Sequence, residues 1–510
     1  MVEHVQPIAD AIVPAPARAL PRGRFAFAGR LSWVLNEAVL FPVIALYLIS
    51  LTGSLPREIL SDTWFVLLGG REVAHHGLPS HDVLTVWAHG RPWVDEQWLG
   101  QVVFYGLYAA GGIKLALFGH VLALGVAFVT AIAVARWRGA SARSVCWISV
   151  PAFFLLIWGS WNVRAQSLAF LLFVALVWLL VDDARSPSRR ILFGVPLLVL
   201  WANVHGTAVT GALLVSVAGV CYGLSRRRQP LRTWVPRTAL MVVLPFLCVL
   251  ASPYATSLPG YYHHVLSNPW FRNHIIEWQP TMLSIRTGPF YFLALLGIWL
   301  VGRCADRLLL TEKALLAVTL LLGFQTIRSI VWFTLVALML LPSALDGVLK
   351  PNHLAARLPL LSRLLVLMSV VGTVVAFAVV AAKPTTWFEA DYPKAALAAV
   401  ARVEAADPHV RVFANQQYSD WLLLRRPELR GRIAYDVRFE LLPQARLKQL
   451  TDARGLVEGW RRDVASFRLF VLREDAEHAL GQALLRERGA RQEYRGHGLL
   501  VVYRPAGKTK

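Results

Sequence analysis

The chain has 510 residues, of which 56% are hydrophobic and only 16% are charged. Its mean hydropathy of +0.50 and its repeated apolar stretches of roughly 15 to 22 residues exclude an ordinary soluble globule and indicate a polytopic α-helical membrane protein. The net charge of +21 does not indicate a nucleic-acid partner, because most of the excess lies in short loops, where the positive-inside rule explains it.

The first 33 residues are rich in Ala, Pro and Arg and predict a cytoplasmic tail. Basic clusters then mark the cytoplasmic side at Arg18 to Arg30, Arg136 to Arg143, Arg185 to Arg190, Arg226 to Arg237, Arg303 to Lys313 and Lys350 to Arg363. Successive clusters on one side require an even number of crossings between them. The apolar spans that satisfy this rule are 34–54, 114–135, 144–160, 165–181, 191–203, 206–224, 238–252, 289–302, 314–327, 329–345 and 364–382. The sequence therefore predicts about 11 transmembrane helices in a membrane domain of residues 34–383, with the N-terminus inside.

Two parts of this domain are expected to depart from simple crossings. Residues 191–224 and 314–345 each provide about 50 Å of helix for two spans that together need ~60 Å. These spans are expected to be short, tilted or partly re-entrant. The outer loop, residues 55–113, contains an apolar segment (98–112) that is too short to cross, and we expect it to be a helix in the outer interface.

From Pro384 onward, apolar runs shorten to strand length and alternate with helical stretches. Residues 384–510 are therefore expected to form an α/β soluble domain outside the membrane, on the same face as the outer loop. The four cysteines fall in or at the ends of apolar segments without metal-ligand spacing. Disulfides and zinc are not expected.

Acidic residues of the outer loop are the first candidates for chemistry. A carboxylate near a low-dielectric surface can hold a raised pKa and deprotonate a hydroxyl, and a pair can bind a divalent cation. Asp62, Asp95 and Glu96 are the catalytic candidates, and Asp82 is a candidate to line the substrate site. The alternatives are solvated loop acids, or an Asp62 that caps a helix.

Basic residues at the turns between spans are the second group. A guanidinium near hydrocarbon is costly unless it is paired, and its planar fork suits a phosphate or carboxylate. Arg164, His205 and Arg328 are therefore candidates to bind a phosphate. A snorkelling arginine or a hydrogen-bonded structural histidine are the alternatives. Further candidates to line the site are Trp93, Asn203, Tyr254, Glu277 and Trp278. No P-loop, GxGxxG, GxSxG or HExxH motif is present.

Together these residues resemble the GT-C superfamily of polytopic membrane glycosyltransferases. Asp62 occupies the position of the leading aspartate in the large outer loop of that superfamily, although no adjacent Asp-Asp pair follows the first span. The stretches that carry the resemblance are Gly70-Arg71-Glu72, Gly77-Leu78-Pro79, Asp82, Gly90, Trp93, Trp98-Leu99, Arg164-Ala165-Gln166, Asn203-Val204-His205-Gly206, Ser252-Pro253-Tyr254, Glu277-Trp278, Tyr418 to Trp421 and Tyr435-Asp436-Val437-Arg438.

The resemblance implies transfer of a sugar from a polyprenyl-phosphate donor to an envelope glycan, lipid or protein acceptor, on the outer face of a bacterial inner membrane. It leaves a divalent cation (Mg²⁺ or Mn²⁺) open as a cofactor, with Asp62 and Asp95 as its ligands. Two other readings remain open from the residues alone. One is a membrane acyltransferase that uses His205 as its base, and the other is a non-catalytic transporter or scaffold of envelope-polymer assembly.

Overall fold

The computed structural model describes residues 37–55, 59–159, 162–349 and 359–505. The predicted cytoplasmic tail (1–33) and most of the inner basic cluster from Lys350 onward lie outside these ranges. Within them, the chain forms a bundle of apolar helices followed by a smaller domain built on a sheet. From the N-terminus, the helices up to the end of the bundle are α1 Leu40–Ser54, α2 Ser61–His76, α3 Trp98–Trp137, α4 Ala142–Gly159, α5 Gln166–Arg185, α6 Gly194–Val204, α7 Ala208–Arg226, α8 Leu231–Val249, α9 Leu258–Ser267, α10 Pro269–His274, α11 Gly288–Arg303, α12 Leu310–Gln325, α13 Ile330–Leu345 and α14 Pro359–Ala382.

Among the described residues, seven helices are long and apolar enough to cross a membrane, namely α3, α4, α5, α7, α8, α13 with its preceding turn, and α14. Helices α1 and α11 are apolar but shorter. The predicted multi-pass helical architecture is confirmed, while the count of eleven spans stays a prediction. Helix α6 has 11 residues and is only about 16 Å long at 1.5 Å per residue. It therefore fits the short section expected within 191–224.

Helix α3 runs for 40 residues but is kinked at a glycine pair. Gly112 adopts a φ of +66°, a left-handed conformation that residues with a side chain rarely adopt. An interfacial helix at 98–112 and a separate span at 114–135 are predicted from the sequence. The structure has two consecutive helical sections here, and the break between them lies at Gly111 and Gly112, whose φ/ψ angles are not helical.

Helix α2 lies in the outer loop and packs closely against the first section of α3. A Cβ atom added to Gly70 would come within 2.2 Å of the backbone oxygen of Gln101, and one added to Gly69 within 2.1 Å of the Gln101 side chain. Only glycine permits this approach. The contact fixes the N-terminus of α2, which carries Asp62, relative to the start of α3.

The outer domain is a four-stranded sheet covered by helices. The strands are β1 Val412–Ala414, β2 Leu469–Arg473, β3 Arg491–Gly496 and β4 Leu499–Tyr503, in the order β1-β2-β4-β3. Strands β1 and β2 are parallel, and the other two pairings are antiparallel. The helices are α15 Thr385–Phe388, α16 Lys394–Ala406, α17 Gln416–Arg425, α18 Gln444–Arg454, α19 Trp460–Asp463 and α20 His478–Leu485. The predicted α/β character is confirmed.

This domain is completed by a segment of the outer loop. Thr85 pairs in parallel with Ile433, which in turn pairs with Val412 of β1. The Trp87 amide donates to the oxygen of Ala434 at 3.0 Å. Residues 84–87 therefore extend the sheet from another part of the chain.

Trp87 fills the core of the outer domain. Its indole stacks on Tyr435 at 5.5 Å and meets the rings of Phe413 and Phe467 edge-on, each at 5.8 Å. The side chain is buried. Residues 384–510 are thus not self-contained, because the outer loop supplies a large part of their packing.

Candidate active site

The candidate site lies where the outer ends of several helices meet. Gly100, in the first turn of α3, contacts two turns at once: an added Cβ would lie 2.7 Å from the oxygen of Val204 and 2.8 Å from Cβ of Ala165. The α4–α5 turn and the α6–α7 turn are thereby held against the start of α3. The α12–α13 turn is tied to the segment between α10 and α11, because the Ile327 amide donates to the oxygen of Gln279 at 3.0 Å.

Asp62 lies in the first turn of α2, beside the α4–α5 turn. Its Oδ2 accepts a hydrogen bond from Nδ2 of Asn162 at 2.7 Å and lies 3.5 Å from Nη2 of Arg164. Thr63 secures the same contact by donating to the oxygen of Val163 at 3.2 Å. Burial raises the pKa of Asp62, although the charge of Arg164 opposes the shift. About 31% of the side chain remains accessible, so the carboxylate is held by protein yet open to a ligand.

Arg164 links Asp62 to Glu277, which lies in the segment between α10 and α11. Its two terminal nitrogens donate to the two carboxylate oxygens of Glu277 at 2.9 and 2.7 Å, a bidentate pair. Burial alone would raise the pKa of Glu277, but the charge and hydrogen bonds of Arg164, together with the charge of Arg328, outweigh burial and hold the pKa at about 2. The Arg164 guanidinium is therefore already neutralised by two carboxylates.

Arg328, in the α12–α13 turn, is held differently. Its guanidinium lies over the ring of Trp278, 4.7 Å from the centroid. In the part of the chain that the structure describes, no carboxylate lies within ion-pair distance of Arg328. Its charge nevertheless acts on Asp62, Glu96, Glu277 and His205. Arg328 is thus a cation of this cluster whose hydrogen-bonding groups are available to an anion.

His205 follows α6 and is buried. Its Nδ1 accepts a hydrogen bond from the Thr207 amide at 3.1 Å, which assigns the ring proton to Nε2. Burial, together with the charges of Arg328 and Arg164, lowers the pKa of His205 well below its usual value. The residue is therefore a neutral hydrogen-bond donor through Nε2.

Asp95 and Glu96 lie just before the start of α3, and their contacts differ from those of Asp62. Oδ1 of Asp95 accepts from the Gln101 side chain at 2.9 Å, and burial raises the pKa of Asp95 to about 8. Burial also raises the pKa of Glu96, which hydrogen-bonds to Tyr261 and packs against Gly206. Glu96 shares the cluster with Arg328, whereas Asp95 is a protonated, buried acid at its edge.

Asp82 and Trp93 belong to a second, buried cluster between the outer loop and the outer domain. Arg438 donates to Oδ1 of Asp82 at 2.6 Å and to Asp436 at 2.9 Å, and its guanidinium lies 4.1 Å from the centroid of Trp93. Asp82 also accepts from the Thr85 amide at 3.1 Å. The carboxylate of Asp82 is fully buried and engaged in joining the loop to the domain, and the structure does not bring it to Asp62.

Asn203 and Tyr254 make structural connections around the site. The Asn203 side chain accepts from the Trp98 indole at 2.9 Å and donates to the oxygen of Ala251 at 2.9 Å. The Tyr254 hydroxyl donates to the oxygen of Pro79 at 2.8 Å. These bonds tie the α6–α7 turn and the loop after α8 to the outer loop.

The structure also brings in residues that sequence reasoning did not select. Asn162, Tyr261 and Arg438 contact the candidate acids, and Asp420 of α17 is close enough for its charge to interact with that of Asp62. The position of Asn162, two residues before Arg164, was the available signal. Arg438 and Asp420 lie in stretches that carry the resemblance, but only the tertiary fold brings α17 close to α2.

The described residues do not offer a ready metal site. Within these ranges, no three side chains of the His, Cys, Asp or Glu type lie close enough to share a metal ion. Of the two expected ligands, Asp95 is bonded to Gln101 through Oδ1 and Asp62 is bonded to Asn162 through Oδ2. These side chains therefore do not form a ready cation site.

The fold of this chain matches known structures, although its sequence does not match known proteins. No family model matches the chain, and no curated protein matches it in sequence. Solved structures do match. The apo oligosaccharyltransferase of Archaeoglobus fulgidus is 10% identical, with a TM-score of 0.53 over 87% of this chain and 70% of that one. ArnT from Cupriavidus metallidurans bound to undecaprenyl phosphate is 16% identical, with a TM-score of 0.50 over 93% of this chain and 98% of that one.

Both structures are GT-C glycosyltransferases. The chain has the GT-C fold. This confirms the fold predicted from the sequence, an apolar helical bundle with an outer domain. Within this fold, the residues predicted from the outer loop and the turns fall into one group around Asp62 and a second group around Arg438.

Proposed function

We propose that this protein is a membrane glycosyltransferase that transfers a sugar from a polyprenyl-phosphate donor to an envelope glycan, lipid or protein on the outer face of a bacterial inner membrane. One observation carries the proposal. An accessible carboxylate, Asp62, lies in the same cluster as Arg328, a cation without a carboxylate partner among the described residues, and the Nε2–H of His205. A base beside an anion-binding pair is what displacement of a phosphate leaving group requires.

In this mechanism the donor phosphate accepts hydrogen bonds from Arg328 and from Nε2 of His205, while the lipid tail lies in the bilayer. The acceptor hydroxyl gives its proton to Oδ1 of Asp62. The acceptor oxygen forms a bond to the anomeric carbon as the bond from that carbon to the phosphate oxygen breaks. Polyprenyl phosphate leaves, with its added negative charge stabilised by Arg328. Since the donor carries its own leaving group, the step needs no ATP.

Arg164 has a different role in this proposal from Arg328. Because its guanidinium is bonded to Glu277 and lies beside Asp62, it orients the base and does not hold the phosphate. The acyltransferase alternative has less support. His205 is neutral, but its Nδ1 already accepts from the Thr207 amide and its Nε2 carries the proton, so neither nitrogen is free to act as a base.

The test uses purified full-length protein in nanodiscs with a panel of polyprenyl-phosphate sugars. Wild type is expected to transfer or hydrolyse one of them. Asp62→Asn is expected to bind that donor normally and to lose turnover by about 10²–10⁴-fold, the usual contribution of a general base. Arg328→Gln and His205→Ala are expected to weaken donor binding, each by roughly tenfold or more.

Asp475→Asn is the matched control, because Asp475 is an exposed outer-domain acid paired only with Arg473. It should retain wild-type activity. If wild type binds none of the donors, or if Asp62→Asn turns over as fast as wild type, the proposal is wrong.

A further inference from the structure

We infer that Asn162 is a positioning residue for the base: it holds one oxygen of Asp62 and leaves the other to the acceptor. The inference rests on the proposed function, in which Asp62 deprotonates the acceptor. Asn162 acts through Asp62 and is not itself a catalytic residue.

The geometry separates the two oxygens of the carboxylate. Oδ2 receives the Asn162 amide at 2.7 Å and faces Arg164 at 3.5 Å. Among the described residues, no hydrogen-bond donor reaches Oδ1, and the side chain is accessible. The hydrogen bond from Asn162 and the ion pair with Arg164 fall on the same oxygen, and they hold the carboxylate in a rotation that leaves Oδ1 for the acceptor.

Asn162 is itself held rigidly enough to do this. Its side chain is buried, with 5% of the residue exposed, and its Oδ1 lies 3.4 Å from the Thr63 hydroxyl. That hydroxyl also accepts from the Leu60 amide and donates to the oxygen of Val163. The α4–α5 turn and the first turn of α2 therefore form one hydrogen-bonded unit. The ionised carboxylate of Asp62 can only accept, so Asn162 presents Nδ2 to it and not Oδ1.

The charged groups that face Asp62 come from several elements. They are Arg164 of the α4–α5 turn, Glu277 of the segment between α10 and α11, Arg328 of the α12–α13 turn and Asp420 of α17. Asn162 differs from all of them because it is uncharged and acts by a single short hydrogen bond. That bond stabilises the ionised form, so its removal raises the pKa of Asp62.

The test compares Asn162→Ala and Asn162→Asp with wild type, using the donor that wild type consumes. Loss of a hydrogen bond to a charged group is expected to lower kcat roughly tenfold to a hundredfold. Because the base must be ionised, the acidic limb of the profile of kcat/KM against pH should move to higher pH. Asn162→Asp keeps the shape of the side chain but places a second carboxylate beside Asp62. The acidic limb of the pH profile of this variant should therefore move further to higher pH. Donor binding should be unchanged in both variants.

Asn268→Ala is the matched control. Asn268 caps α10 by accepting from the Trp270 amide at 3.0 Å and has no contact with the acids, so its pH profile should equal that of wild type. If both Asn162 variants keep the wild-type profile, with only a lower yield of folded protein, Asn162 is structural and the inference is wrong. A wild type that turns over no donor would instead contradict the proposed function.

Discussion

At the scale of single residues, the site contains three carboxyl groups whose pKa values are shifted differently. Burial raises the pKa of Asp62 and raises that of Asp95 to about 8, whereas the charge and hydrogen bonds of Arg164, with the charge of Arg328, hold the pKa of Glu277 at about 2. Asp62 and Glu277 face the same two arginines. What differs is how closely Arg164 binds them, because it makes two hydrogen bonds to Glu277 and lies 3.5 Å from Asp62.

This arrangement predicts the effect of Glu277→Gln on the base. The negative charge of Glu277 raises the pKa of Asp62, and its loss also leaves Arg164 with Asp62 as its remaining partner. The pKa of Asp62 should therefore fall, and the acidic limb of the profile of kcat/KM against pH should move to lower pH. This direction is opposite to that expected for Asn162→Ala. A limb that stays in place, measured on the same donor, would mean that Glu277 does not act on Asp62.

The individual side chains also indicate what a sequence can predict. Asp62, Arg164, His205, Glu277 and Arg328 could be selected because a charged or ionisable residue at the end of an apolar segment is costly without a purpose. The different roles of these residues could not be predicted from the sequence. Arg164 and Arg328 occupy equivalent places in the sequence pattern, and only the bidentate pair with Glu277 and the ring of Trp278 distinguish them.

At the scale of elements, the outer loop belongs to both halves of the molecule. Its helix α2 carries Asp62 and packs on α3, while residues 84–87 lie in the sheet of the outer domain. Arg71 of α2 donates to the oxygen of Leu424 at 2.9 Å, and Arg430 pairs with Glu72 at 3.0 Å. A change in the outer domain is therefore transmitted to the helix that bears the base.

Trp87→Ala should reveal this dependence. Replacing a buried Trp by Ala usually costs about 3–5 kcal/mol, and here the cavity would open between the loop and the domain. We expect a lower temperature of thermal unfolding for the outer domain, together with faster proteolysis of residues 384–505, in nanodiscs. Trp147→Ala is the control, since Trp147 is 59% exposed on α4. Equal stability of the two variants would contradict the role assigned to Trp87.

Some elements could be predicted from the sequence and others could not, for a physical reason. Apolar length and basic clusters reflect the bilayer, which acts on each segment separately, so the bundle could be predicted. The strand at 84–87 could not be, because Thr85 and Val86 find their partners near Ile433, far along the chain. A contact of that range leaves no local pattern. The boundary at residue 384 stays a prediction, while the outer loop, which was assigned to the membrane domain, contributes residues 84–87 to the sheet of the outer domain.

At the scale of the whole molecule, the fold implies one orientation. Since residues 84–87 and 433–434 share hydrogen bonds, the outer loop and the outer domain must lie on the same side of the membrane. The basic clusters at the opposite ends of the helices favour the cytoplasm for the other side. An exposed acceptor site would then face the compartment in which envelope polymers are assembled.

Cysteine labelling tests this orientation. In a variant with the four native cysteines replaced by alanine, Ser80→Cys, Arg286→Cys and His497→Cys should react with an impermeant maleimide in intact cells. Arg227→Cys, in the turn after α7 at the basic end, should react only after the membrane is permeabilised. Labelling of Arg227→Cys from outside, or protection of Arg286→Cys, would reverse the assignment.

The insertion of Trp87 into the outer domain has a consequence for biosynthesis. The segment leaves the ribosome ~350 residues before its partners, which at about 5–20 residues per second is roughly 20–70 s. During that interval the indole of Trp87 has no partner rings to pack against, because all the later spans are synthesised before the residues of the outer domain. The newly made loop therefore exposes its apolar side chains during that interval, and a chain truncated before Ile433 would keep them exposed to proteases.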